Sequence, residues 1–280
     1  MEERSVNIIV LNWNQKDLSL KCISSLEKTT YKNKHIVFVD NGSNDGSSES
    51  VQKQHPDVEI IELENNLGYA RGNNFGFNSI SNKSKYTIFL NNDTYVDPCF
   101  IEPLIDELES NSLSIQSVPK IFYAKENDRV WYAGGSISFI LSQIRHIGIR
   151  SKNSEKYNKR LEVDYATGCC FCIRSDDFVK FGMFDENYKM YCEDVDLSLK
   201  IRKNGGQIVY IPNSKVWHHV SMSLGGVSSF SKWRKKQLSF LKLILEHGNI
   251  LFFPISIVFY AINALLSFLF IGILKITKKK

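Results

Sequence analysis

The chain has 280 residues, 43% hydrophobic and 23% charged, enough for one domain with a substantial core and an appendage but not for two full domains. The 35 Lys and Arg against 30 Asp and Glu leave a net charge of +5, and much of the visible basic clustering is C-terminal: Lys232, Arg234, Lys235 and Lys236, then Lys275 and Lys278 to Lys280. A nucleic-acid partner, which would need a denser basic face with interleaved aromatics, is not expected; the clusters read as flanks of a membrane segment.

Val6 to Leu11 (VNIIVL) is a short apolar run suited to a strand buried on both faces. It is too short for the apolar region of a secretory signal, and Glu2 and Glu3 stand where such a signal carries positive charge. With no export signal expected, Cys169, Cys170, Cys172 and Cys192 read as reduced, packed thiols, since their spacing is not the paired C-x-x-C of a zinc site. Leu18, Cys22, Ile23 and Leu26 then recur at helical spacing. His35 to Val39 predicts a second strand, ended by the turn-rich DNGSNDGS; a polar helix follows to about Gln54, then a strand over Val58 to Ile61. Another helix starts near Tyr69, and the strand Tyr86 to Leu90 runs into NNDT.

Strand and helix alternating with short connections predict right-handed β-α-β units around a parallel sheet, whose ligands bind beyond the carboxyl ends of the strands. Polar residues collect at those ends: Asn12-Trp13-Asn14, Asp40 to Ser43, and Asn91-Asn92-Asp93. Asp and Asn often follow strands merely to make turns. Several such ends converging point instead to one polar-ligand site.

The stretch from about Val118 to Glu162, with Gly134-Gly135 and the basic RSKNSEKYNKR, predicts irregular structure and a mobile loop. Beyond YATGCCFCIR, the residues Val195, Leu197, Leu199 and Ile201 predict a helix ended by Gly205-Gly206, with Glu193, Asp194 and Asp196 in its first turn. From Ile250 to Leu274 no residue is charged, long enough to cross a bilayer, although Pro254 and Asn263 interrupt the run. Basic residues flank both ends, so a single span and a re-entrant or interfacial helix both remain open.

Asp93, on a turn after a buried strand, is suited to ligate a hard divalent cation. Asp194, from a distant stretch of chain, is suited to act as a general base. Neither a D-x-D-like triplet nor an E-D pair is specific alone; the ordered set is. VNIIVLNWNQ, VDNGSNDGS, NNLGYARGNN, LNNDTYVDP, ATGCCFCIRSDDFVKFGMFDENYKMYCEDVDLSLKIRKNGG and VWHHVSMSLGG resemble, in this order, the family 2 glycosyltransferases, nearest to the rhamnosyltransferase-like enzymes of surface-polysaccharide assembly. The resemblance runs from about Ser5 to Gly226.

It implies a GT-A-type α/β fold, a mostly parallel central sheet with helices on both faces, over residues 1–226, followed by a basic linker helix and a membrane-associated segment over 227–280. It implies an inverting, metal-dependent (Mn²⁺ or Mg²⁺) transfer of a sugar, with rhamnose favoured, from a dTDP- or UDP-linked donor to a glycan or lipid-linked acceptor, on the cytoplasmic side of the membrane. Carried over by position, Leu11, Trp13 and Asp40 would hold the nucleobase, Arg71 the diphosphate with Gly68 and Gly72 allowing close approach, and Asn91 the ribose. Asp93 and His218 would hold the metal, Asp194 would be the base with Glu193 beside it, and Thr167 and Gly168 would shape the acceptor side. Two departures stand out: Asn91 replaces the first Asp of D-x-D, and His219 directly follows His218, so that either imidazole could face the metal. A rival dinucleotide-binding reading lacks a G-x-G-x-x-G after the first strand, and a non-catalytic membrane scaffold with the same fold is the remaining alternative.

Overall fold

The computed structural model describes residues 4–188, 190–220 and 230–277, with side chains to 271. Its N-terminal half is the expected alternation: β1 (Val6–Asn12), α1 (Lys16–Glu27), β2 (Lys34–Asn41), α2 (Ser47–Gln54), β3 (Glu59–Leu63), α3 (Tyr69–Ser79) and β4 (Tyr86–Asn91). These strands are parallel, in the order β4-β1-β2-β3. The register sets Asn12 opposite Asp40 and Leu11 opposite Asn91, so the polar ends of β1, β2 and β4 finish level. β1 is apolar along almost its whole length because both its faces are covered.

After β5 (Thr94–Val96) and α4 (Ile101–Ser110), the chain departs from the expected irregularity. It forms β6 (Ser114–Tyr123), a ten-residue strand in the middle of the sheet, then β7 (Val130–Tyr132), the β8 (Gly135–Ser138) to β9 (Gln143–His146) hairpin and β10 (Leu161–Val163). β6 hides from a hydropathy reading because Gln116, Ser117 and Lys120 are buried in it. Each finds a partner: Gln116 accepts from Ser198, Ser117 donates to the Leu104 carbonyl, and Lys120 donates to Asn153 and Asn158. The basic RSKNSEKYNKR is tied down by those asparagines, by buried Tyr157, and by the two-pronged Arg160 to Glu107 bridge at 2.6 and 2.7 Å.

β11 (Cys170–Arg174) enters between β4 and β6, antiparallel to both, and α5 (Ser175–Lys180), α6 (Glu193–Lys203) and β12 (Gln207–His218) follow. β12 lies parallel to β6, and β5 and β10 pair antiparallel with it. The complete order β10-β12-β6-β11-β4-β1-β2-β3 is therefore mixed, parallel in the N-terminal half and antiparallel around β11. Phe89 and Phe171, on adjacent strands, pack with Phe178 and Phe184 at centroid distances of 4.7 to 6.0 Å. That cluster fixes the loop running from Phe184 to α6.

The C-terminal part is two helices, α7 (Phe230–His247) and α8 (Phe253–Thr277). Asn249 caps the turn between them by accepting from the Leu251 N–H at 2.9 Å. Pro254 falls in the first turn of α8, where its missing N–H is no loss; it starts the helix rather than interrupting it. The expected boundary at 226/227 lies outside the described residues.

Candidate active site

The three strand ends are knotted together by Asn12. Its carbonyl oxygen accepts from Ser19 (2.9 Å) and Asn92 (2.8 Å), and its amide donates to Asp40 (3.1 Å) and Ser43 (3.0 Å). Asp40 is buried and accepts in addition from Ser43 and from Ser48 at 3.0 Å. Part of the polarity collected here is therefore structural. Leu11 packs beneath α3 at Gly72, where a Cβ would stand 2.7 Å from its Cδ1, so Gly72 is needed for this contact between helix and strand. Trp13 is exposed just beyond β1. Arg71 pairs with Glu186 at 3.1 Å on the solvent edge.

Asp93 is buried at the turn between β4 and β5, with the His218 Nε2 at 3.0 Å from its Oδ1. Pairing of β12 with β5 aligns His218 with Thr94 and so brings the two together. Burial pushes the Asp93 carboxyl up, but the facing His218 outweighs it and the group ends below its ordinary range. His219 points elsewhere: its backbone N–H donates to the Asp93 carbonyl at 2.9 Å and its ring lies toward Tyr95. Trp131 on β7 meets the His218 ring edge-on at 4.6 Å. Trp131 was not anticipated from sequence, because only the β6-β7 pairing brings it there.

The second half of the site is the start of α6. Asp194 accepts from the N–H of Gly168 at 2.6 Å and of Val195 at 2.9 Å. Gly168 also accepts from the Tyr69 hydroxyl at 2.5 Å, and a Cβ there would come 3.0 Å from that hydroxyl. Thr167 is buried and accepts from the Cys169 N–H in its own turn. Glu193 is buried, and its Oε2 has no partner among the described residues. Burial, then the neighbouring Asp194 charge, pushes it from 4.5 to about 8. Asp194 is also raised by burial, against the pull of its two N–H donors. Immediately before Glu193, Tyr191 and Cys192 both take φ 70, a left-handed pair that non-glycine residues rarely adopt and that concentrates at functional sites.

The two halves meet at the Gly168-Cys169 turn: the Gly168 N–H donates to Asp194 at 2.6 Å, and the Cys169 carbonyl accepts at 2.9 Å from the N–H of Asn91, at the end of the strand that leads to Asp93. Burial, then the Asp93 charge, pushes the Cys169 thiol well up. The Asp93 and His218 donor set, one carboxylate and one imidazole whose far ring nitrogen is buried with no partner among the described residues, could hold a divalent cation. A second group, Asp196, Glu246 and His247, brings its ligand atoms within 4.8 Å of one another. Lys200 at 2.7 Å and Lys242 at 3.0 Å already neutralise it, and its role is to tie α6 to α7.

Comparison with known proteins bears on the family and the fold. The family model for glycosyl transferase family 2 matches residues 7–182, more than half of the chain. An N-acetylglucosaminyl-diphospho-decaprenol L-rhamnosyltransferase of Mycobacterium tuberculosis is 26% identical over 221 residues, 72% of each chain. A poly-beta-1,6-N-acetyl-D-glucosamine synthase of Staphylococcus aureus is 25% identical over 231 residues, and the chain spans about half (52%) of its length. Among solved structures, GalNAc-T7 with UDP, GalNAc and Mn²⁺ superposes with TM-score 0.63 at 17% identity, over 76% of this chain and 43% of that one. S. aureus TarS superposes with TM-score 0.57 at 15% identity, over 86% and 40%. The last two show a shared fold, in agreement with the expected GT-A-type architecture.

Proposed function

The chain belongs to glycosyl transferase family 2, and from that premise we propose that it moves a sugar from a nucleoside-diphosphate donor to a hydroxyl of a glycan or lipid-linked acceptor in surface-polysaccharide synthesis, inverting the anomeric centre. The observation that carries the reading is the pairing of two sets across the Gly168-Cys169 turn: Asp93 with His218 on one side, Glu193 with Asp194 on the other.

In this mechanism Asp194 is the base. Its two backbone N–H donors favour its charged form over that of Glu193, whose Oε2 has none. When one proton is shared between the two, it resides on Glu193, and Asp194 is left to take the proton of the acceptor hydroxyl. The oxygen so freed attacks the anomeric carbon as the bond to the diphosphate breaks, which inverts the centre in one step. Asp93 and His218 would hold a divalent cation, which when bound supplies Lewis-acid stabilisation of the leaving diphosphate. Trp13 would stack on the base, Leu11 and Asp40 would line its pocket, Asn91 would reach the ribose, and Thr167 and Gly168 would shape the acceptor side. Arg71 would exchange Glu186 for the diphosphate, at little cost for an exposed pair.

For the donor we propose dTDP-rhamnose, on the likeness to the mycobacterial rhamnosyltransferase; GalNAc-T7, crystallised with UDP and Mn²⁺, supports a nucleotide and a metal without choosing the base. A lipid-linked acceptor also fits the apolar α8, so the site is proposed to work at the cytoplasmic membrane surface. Thermal unfolding with UDP, dTDP, GDP and CMP, each with and without Mn²⁺, tests the reading. A nucleotide at a hundred times its Kd adds about 2.7 kcal/mol. A Mn²⁺-dependent shift with dTDP is expected. A shift with UDP alone would change the donor, and no shift with any nucleotide in folded protein would favour the scaffold alternative.

A further inference from the structure

The stretch Ile250–Ile271, most of it in α8, is long and apolar enough to cross a membrane, and hardly any of it is buried among the described residues. Its two sides differ, however. Ser256, Tyr260, Asn263 and Ser267 recur at helical spacing and face protein. The Ser256 carbonyl accepts from Ser142 (2.6 Å), and the Tyr260 hydroxyl donates to the Gln237 carbonyl (3.2 Å). The Asn263 amide donates to the Leu141 and Ser142 carbonyls (2.9 and 3.2 Å), and Ser267 accepts from the Trp233 indole (2.8 Å). On the other side Ile255, Val258, Ile262, Leu265 and Leu269 form an uninterrupted exposed stripe.

From this two-sidedness we infer that α8 lies in the plane of a bilayer surface and does not cross it, and that the tip of the β8-β9 hairpin enters the lipid beside it. Ser142 and Trp233 belong to the hairpin and to α7, and their contacts run from position 256 to 267, about 17 Å of helix axis at ~1.5 Å per residue. That is more than half of a hydrocarbon core about 30 Å thick. A spanning α8 would drag the hairpin and the exposed Arg234, Lys235 and Lys236 of α7 into the hydrocarbon, where charge is costly. Laid flat, the same helix puts its stripe into the acyl boundary and leaves those cations level with the headgroups, the arrangement of an interfacial helix. Ile140 and Leu141, at the hairpin tip and 41% and 42% exposed, continue the apolar surface. The occupant is thus a bilayer bearing anionic headgroups.

This surface is wired to the base. Ser239 of α7 donates to the Met190 carbonyl at 2.8 Å, Tyr188 donates to Glu246 at 2.8 Å, and His247 meets Asp196 at 2.7 Å. The loop before Asp194 and the helix that carries it are therefore held by α7, which is itself bonded to α8, the helix that rests on lipid. The inference deepens the proposed action on a lipid-linked acceptor by fixing how the chain sits at the membrane, and its tests do not read activity.

The first test labels inverted membrane vesicles with a membrane-impermeant maleimide, using the full chain carrying Lys275→Cys and the natural exposed Cys99 as reference. Labelling of both thiols from one side is expected; labelling from opposite sides would mean a span and overturn the inference. The second measures binding to vesicles of phosphatidylcholine with and without phosphatidylglycerol. Leu141→Asp should weaken binding to both roughly tenfold, and Lys235→Glu with Lys236→Glu should weaken binding to the anionic vesicles by about tenfold or more. Unchanged binding of Leu141→Asp, with the thermal midpoint of the parent, would remove the hairpin from the surface. Self-association in lipid-free solution together with no vesicle binding would assign the stripe to a second copy and overturn the inference. Loss of nucleotide binding would leave both results intact.

Discussion

The two sides of the site are built in opposite ways. On the side of β1, β2 and β4, the polar groups satisfy one another: Asn12 makes four hydrogen bonds and Asp40 accepts from three neighbours. On the side of α6, Glu193 has an oxygen with no partner among the described residues and is pushed up to about 8 by burial and the Asp194 charge, and two consecutive residues are left-handed. A surface that only has to receive a ligand can rest in a relaxed network. A buried carboxyl pair such as Glu193 and Asp194 is held where charge is unfavourable, which suits it to the proposed proton transfer, and the surrounding packing keeps it there.

The largest effect expected is on that packing. Phe184→Ala opens the aromatic cluster that fixes the loop before α6, and should lower stability by about 3–5 kcal/mol, read from urea unfolding with unchanged m-value. A loss under 1 kcal/mol would mean that the loop is held from elsewhere. Asp194→Asn keeps the shape and removes the base: transfer should slow roughly a hundredfold or more, about 2.7 kcal/mol of barrier, with nucleotide-induced stabilisation intact. Near-normal turnover in folded protein would reassign the base.

On the relaxed side, Asn12→Ala should cost about 1–3 kcal/mol, because it takes an acceptor from Ser19 and Asn92 and a donor from buried Asp40. Its effect belongs in stability and donor affinity together; if turnover alone fell, Asn12 would belong to the chemistry. The last effect sought is a slope. Between about pH 4.5 and pH 8 folded Glu193 keeps a proton that the unfolded chain releases. Stability therefore falls as pH rises through that window and levels off above it. Glu193→Gln should flatten that part of the curve of denaturation midpoint against pH; an unaltered curve would show that Glu193 is not the group holding the proton.

Much of this contrast was legible in the sequence. The relaxed side comes from the N-terminal alternation, where short apolar runs and their polar ends are adjacent in the chain and the parallel register aligns them. The motif order also gave the Glu193-Asp194 pair and Asp93. The strand β6 was not legible, because Gln116, Ser117 and Lys120 read as surface and only become interior once Ser198, Asn153 and Asn158 arrive to pair with them.

The sequence by itself determined the family, the βαβ half of the fold and the residue types at the site, since these depend on periodicity and on motifs local in the chain. Tertiary structure alone decided which histidine meets Asp93, that Trp131 and Tyr69 brace the site, and how the polar stripe of α8 is occupied. Each of those rests on contacts between distant segments: the alignment of β12 with β5, the pairing of β6 with β7, and a hairpin tip lying along a helix more than a hundred residues later. Periodicity reports which face of an element is apolar; only packing says what that face meets.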